Sequence, residues 1–162
     1  MLEHHVLLVR SRMPSPAGAA SGPPVQPIVD GESGAVLGYA RWETDPSPWW
    51  QRMFSRGVLA VHEQEDEPLL FTIRRAWGIT PRHEVCDADG QPVGTLLGRL
   101  VYDRHGRPLA ALANGVFRDS NQHALAELSS TTEGLRLTFG DDIAGEPFVK
   151  MLLLAAALQA AG

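Results

Sequence analysis

Hydrophobic and polar positions alternate along most of the chain. Phe71 and Ile73 alternate with Thr72 and Arg74, and Leu135, Leu137 and Phe139 alternate with Arg136 and Thr138. A period of two is the signature of a strand with one face buried. Read this way, the pattern predicts about ten strands: His5–Arg10, Ala35–Trp42, Gly57–His62, Leu69–Arg74, His83–Cys86, Pro92–Leu97, Leu100–Tyr102, Pro108–Phe117, Ala124–Ser129 and Leu135–Phe139. Turn chemistry closes most of them. Asp87-Ala-Asp-Gly90 precedes Pro92, Asp103-Arg-His-Gly106 precedes Pro108, and Asp119-Ser-Asn-Gln122 precedes Ala124. A longer version, Asp30-Gly-Glu-Ser-Gly34, precedes Val36. Aspartate nucleates such turns by accepting nearby backbone amides, and glycine supplies positive φ. The prediction is an antiparallel meander of short hairpins.

The alternation stops near the end of the sequence. From Pro147 the chain reads PFVKMLLLAAALQAAG, apolar on every side. Pro147 suits the first turn of a helix, and Asp141, Asp142 and Glu146 suit its positive end. The run is shorter than the roughly 20 residues that span a bilayer. An all-round apolar helix in a water-soluble chain has to be surrounded. The strands that precede it are the available surroundings, so a central helix at 147–161 is expected.

Two segments break the meander. Residues 13–27 are rich in proline and small residues and read as a flexible loop inside a single domain spanning 1–162. Around Trp49-Trp50, a proline-started helical turn carries Trp49, Trp50, Met53 and Phe54. Large aromatics there either seal one end of a barrel or line a ligand site.

Composition narrows the functions. The chain has 162 residues and a formal net charge of -5. That length supports one core, and that charge offers no general attraction for nucleic acid. Cys86 is the single cysteine, which excludes an internal disulfide and suits a reducing, cytoplasmic setting. It reads as a small hydrophobe in a strand. The six histidines are scattered without metal-ligand spacing, and the acidic run from Glu63 to Glu67 reads as a solvated hairpin. No serine elbow, phosphate loop or enclosed carboxylate pair points to an enzyme class, and no cofactor motif is present.

The segment Phe71-Thr-Ile-Arg-Arg75, followed by Glu84-Val-Cys-Asp-Ala-Asp-Gly90 and Val93-Gly94, resembles the phospholipid scramblase and LURP-one-related proteins of the tubby-like superfamily. The resemblance extends from Gly34 to Gly162, and the apolar terminal helix matches that family's central helix. It implies a mainly β fold, a closed antiparallel barrel of about twelve strands around a buried C-terminal helix. The additional strands would lie near Val25 or Arg118. It also implies a non-catalytic binding or regulatory module. The alternative is a peripheral lipid-binding or scramblase-like protein. The partner would be a lipid, a small apolar ligand or another protein. The candidate ligand residues are Arg74, Arg75 and Arg82 together with Trp49 and Trp50. Arg74 and Arg75 are adjacent in one strand and are expected on opposite faces. The carboxylates Asp141, Asp142 and Glu146 correspond to the family's calcium segment but lack its alternating oxygen ligands.

Overall fold

The computed structural model describes residues 1–10, 25–43, 57–63, 68–76 and 82–161. The strands are β1 (Val6–Arg10), β2 (Val25–Asp30), β3 (Val36–Glu43), β4 (Val58–His62), β5 (Leu69–Ala76) and β6 (Arg82–Asp87), then β7 (Pro92–Leu97), β8 (Leu100–Asp103), β9 (Pro108–Ala113), β10 (Val116–Arg118), β11 (Ala124–Ser130) and β12 (Gly134–Phe139). A 3-10 turn at Asp141–Ile143 leads into helix α1 (Pro147–Ala161). Every strand pairs antiparallel with its neighbours in sequence, and β1 pairs with β12 to close a barrel. The closing seam runs from Val6 opposite Thr138 to Arg10 opposite Gly134. Closure leaves no edge strand in the barrel.

Side-chain alternation sends one face of this sheet inward. Val61 lies opposite Phe71, and Leu59 and Val85 lie on either side of Ile73. All five belong to the inner core, which also takes in Leu7, Ile28, Phe117, Leu137 and Phe139. Helix α1 fills the space they enclose. Met151 to Leu158 are buried throughout, apart from a half-buried Ala156. The longest strands have 8 residues and, tilted about 40°, rise roughly 20 Å along a barrel axis. A fifteen-residue helix rises about 22 Å. The helix is therefore slightly longer than its wall, and its two ends reach the two mouths.

That mismatch corrects one expectation. Phe148, counted among the covered apolar positions, is 57% exposed at the entrance. Lys150, of a residue type seldom buried, is buried here. Its Nζ donates to the Leu2 carbonyl at 3.0 Å and sits 5.2 Å from the centre of the Phe139 ring. A carbonyl oxygen and a π face both attract a cation and repel a carboxylate. Lys150→Met is accordingly expected to keep most of the stability, because an apolar chain of similar length can replace a buried ion. Lys150→Glu should lose several kcal/mol, on the order of a buried unpaired charge. Urea midpoints of the two purified variants check the contrast.

Two strands, β2 and β10, depart from the list that alternation gave and lie near Val25 and Arg118, where the resemblance placed the additional ones. Pro108–Phe117 is not one strand but two, β9 and β10, separated by Asn114 and Gly115 with φ of 51° and 78°. Paired positive φ angles are what a tight two-residue hairpin needs. The loop expected at 13–27 also ends earlier, because Val25, Gln26 and Pro27 belong to β2 and pair with Arg41, Ala40 and Tyr39. Proline lacks an amide donor, yet Ile28 and Gln26 beside it are buried and hold the strand in place. Residues 13–24 and the turn carrying Trp49 and Trp50 lie outside the described residues.

The aspartate turns share one construction. Oδ1 of Asp87 accepts the amides of Asp89 and Gln91 at 3.1 and 2.8 Å. Asp103 accepts those of His105 and Arg107 at 2.8 and 2.9 Å. Asp119 accepts those of Asn121 and His123 at 2.8 and 2.9 Å. The residue three positions after each aspartate takes positive φ: Gly90 at 78°, Gly106 at 76° and Gln122 at 67°. Only the third carries a side chain there, at a cost of about 1 kcal/mol. Gln122→Gly should relieve that strain while giving some back as unfolded-chain entropy. The expected net gain is about 0.5 kcal/mol, or a Tm rise of about 1–2 °C.

Candidate functional site

The two mouths of the barrel are chemically different. Chain direction puts the Asp30, Asp87, Asp103 and Asp119 turns at the mouth where β12 ends and α1 enters. At the opposite mouth α1 finishes among the β7–β8 and β9–β10 turns. A cavity of about 590 Å³, open to solvent, lies there between the last turns of α1 and the wall from β6 to β10. This is within the usual size range of small-molecule sites.

The helix side of the cavity consists of Ala156, Gln159 and Ala160. Their i, i+3, i+4 spacing places them on one face. Two of the three side chains are a single methyl group, and the wall opposite is thinned by Gly98 and Gly115. Small residues on both sides leave the space open. Leu96, Leu112 and Phe117 supply the apolar lining, and His83, Arg99 and Asn114 the polar lining. No carboxylate is found among the described lining residues.

Alternation decides which basic residues reach this mouth. Ile73 faces the helix, so Arg75 faces inward and Arg74 outward. Arg75 lies opposite His83 in the β5–β6 ladder, and Arg74 lies opposite Glu84. The expected divergence of the arginine pair is present. Arg82, also outward, donates to the Thr95 hydroxyl at 3.2 Å. The structure therefore brings Arg75 to the cavity rim beside His83 and leaves Arg74 and Arg82 on the outer wall of the same end. Trp49 and Trp50 lie outside the described residues. His83, Asn114 and Gln159 also line the cavity, and no ligand motif in the sequence marks them. The small-residue spacing at Ala156 and Ala160 and the Asn114-Gly115 pair were the available signals.

His83 is half-buried, and its imidazole is held below the usual range, first by desolvation and then by the positive charge of Arg75. The folded protein thus resists protonating a group that the unfolded chain protonates near its ordinary value. Stability attributable to His83 is complete above about pH 6.5 and is lost as pH falls from there through the lower folded value. His83→Gln should flatten this part of the curve of urea midpoint against pH, while leaving a steeper loss at lower pH. There Asp30 and Asp103, whose carboxyls are held low mainly by hydrogen bonds from Ser33 and the Arg107 amide, become protonated.

Cys86 is 5% exposed and lies opposite Thr72, on the side of the sheet away from the helix. Burial, then the charge of Glu84, pushes its thiol up. A raised thiol is a poor nucleophile at neutral pH. Among the described residues, no group of three His, Cys, Asp or Glu side chains is arranged to hold a metal ion. No described helix is long and apolar enough to cross a membrane. A shallower cavity of about 400 Å³ on the outer wall is bordered by Arg10, Asp30, Glu32, Glu133 and Arg136. Its charges of both signs are partly spent on each other, as in the Arg10–Glu133 pair at 3.5 Å.

No protein-family model matches the chain, and neither a curated protein nor a solved structure matches it.

Proposed function

We propose that the chain is a non-catalytic binding module of the scramblase and LURP-one-related type, which holds a small ligand at one mouth of its barrel. The observation that carries this reading is the cavity of about 590 Å³ beside Ala156. A core-filling helix with a small-residue face at one mouth leaves a preformed pocket beside it. Preformed and mostly apolar pockets with a few polar groups are the usual form of ligand sites. The test uses N-phenyl-1-naphthylamine, a neutral apolar fluorophore. Saturable fluorescence enhancement by the wild type, lost in Ala156→Leu at unchanged stability, supports the module. No saturable binding to the wild type rejects it.

A second reading is peripheral lipid binding. Its support is the grouping of Arg74, Arg75, Arg82 and Arg99 at the same end of the barrel. Basic clusters draw a protein to anionic bilayers with about 1 kcal/mol for each residue near the surface. Sedimentation with phosphatidylserine vesicles, abolished by Arg74→Glu with Arg82→Glu, would favour it. Arg74 and Arg82 face outward, so this pair leaves the cavity intact.

A further inference from the structure

We infer that the cavity selects a monoanionic amphiphile, a ligand with one carboxylate on an apolar body, and that Arg99 and Arg75 hold the carboxylate. This rests on the cavity being a ligand site. Charge is the first ground. The cavity is lined by Arg99, with Arg75 beside it across the ladder from His83. No described aspartate or glutamate borders it. Neither guanidinium makes a hydrogen bond or ion pair with another described residue. This sets them apart from Arg10, Arg41 and Arg107, which have carboxylate partners, and from Arg118 and Arg136, which donate to backbone carbonyls. Arginine presents a planar fork suited to a carboxylate, and charge-assisted hydrogen bonds are about twice as strong as neutral ones.

The helix end is the second ground. Its last turn leaves carbonyl oxygens without helical partners and carries a partial negative charge. An anion is repelled there and favoured at the wall, where the arginines stand. The ligand's orientation follows: carboxylate toward Arg99 and Arg75, apolar body along Ala156 and between Leu112 and Phe117. The same negative helix end disfavours a second charge on the head group. The Gln159 and Asn114 carboxamides, which also border the cavity, offer donors and acceptors but no charge.

Isothermal titration of the whole chain with octanoate, 1-octanol and octylamine tests this. Octanoate should bind at least tenfold more tightly than 1-octanol, and octylamine should bind more weakly than either. Arg99→Gln should reduce the octanoate affinity about tenfold and leave the octanol affinity within twofold. Arg75→Gln should act in the same direction, and Arg74→Gln should change neither. Raising the salt concentration should weaken octanoate alone, because screening acts on the charged contact. Equal binding of octanoate and octanol, both lost in Ala156→Leu, would overturn the carboxylate assignment and leave the ligand site standing. Absence of binding by all three, together with no binding of the neutral fluorophore, would overturn both. Binding to phosphatidylserine vesicles without octanoate binding would overturn the inference in favour of a bilayer surface. Urea midpoints of each variant, matched to wild type, exclude unfolding as the cause of a loss.

Discussion

Leu152→Asp and Leu154→Asp should each unfold the barrel. The two positions are about 200° apart around a helix, so they point to nearly opposite sides. Leu152 is 2% exposed and Leu154 fully buried. A helix lying on a sheet surface would tolerate a carboxylate on its outer side. Inside a closed barrel neither side meets water. An unpaired carboxylate placed there costs several kcal/mol or shifts its pKa and buries a neutral acid, and each route removes leucine packing besides. Domains of this kind have about 5–15 kcal/mol to lose. Urea unfolding of wild type and both variants is the measurement. The expected result is that neither variant gives a native baseline or that both midpoints fall far below wild type. A midpoint near wild type for either one would show that its side of the helix is open, and would reject the central-helix architecture.

The second large effect is expected at Gly94. A Cβ built there lies 2.3 Å from the Tyr102 carbonyl oxygen and 2.9 Å from both methyl groups of Leu152. The leucine can rotate away, but the carbonyl belongs to the neighbouring strand β8 and moves only with the wall. Gly94→Ala should therefore cost about 3 kcal/mol or more, at or above the top of the usual range for overpacking. Leu152→Ala should not rescue it, because the closer obstacle remains. Gly90, in the same hairpin, makes the instructive contrast. Nothing lies within 4 Å of its would-be Cβ, and only its φ of 78° resists a side chain. Gly90→Ala should cost about 1 kcal/mol. Urea midpoints of Gly94→Ala, Gly90→Ala and Gly94→Ala with Leu152→Ala separate steric obstruction from backbone strain. Equal losses at Gly90 and Gly94 would contradict the account.

Much of this architecture is local and therefore visible in the sequence. Alternation at Phe71–Arg74 and Leu135–Phe139 and the three aspartate turns depend on neighbours a few residues away. The helix was legible for a different reason: a segment apolar on all sides needs cover, and the strands before it could supply that cover. The two strands that alternation alone does not give are hidden for opposite reasons. Asn114-Gly115 was a local signal hidden inside a longer apolar run. Pro27 is a local signal against a strand that burial of Ile28 and pairing with Tyr39 override. Lys150 looked like a surface residue because lysine usually is. Its carbonyl partner comes from Leu2, at the far end of the chain. The candidate site was least legible for the same reason. Arg75 could be assigned a face by alternation, but His83, Arg99, Asn114 and Gln159 meet only after the barrel closes around α1. No spacing along the chain records that meeting.

The helix that fills the barrel follows every strand that surrounds it. On a ribosome, the apolar lining of the wall emerges before the residues that cover it. At about 5–20 residues per second, the stretch from Gly140 to Ala161 takes about 1–4 s to make. Until α1 has followed, the strands already made lack the helix that fills them, and their sheet has free edges. Open edges and an uncovered apolar face are the features that recruit chaperones and promote association between nascent chains. A ribosome stalled before Met151 should therefore hold a chain that binds a chaperone such as a holdase, and release to the end of α1 should discharge it. The helix is thus a checkpoint in time as well as a core in space: a segment made after the strands is the one that covers their apolar face.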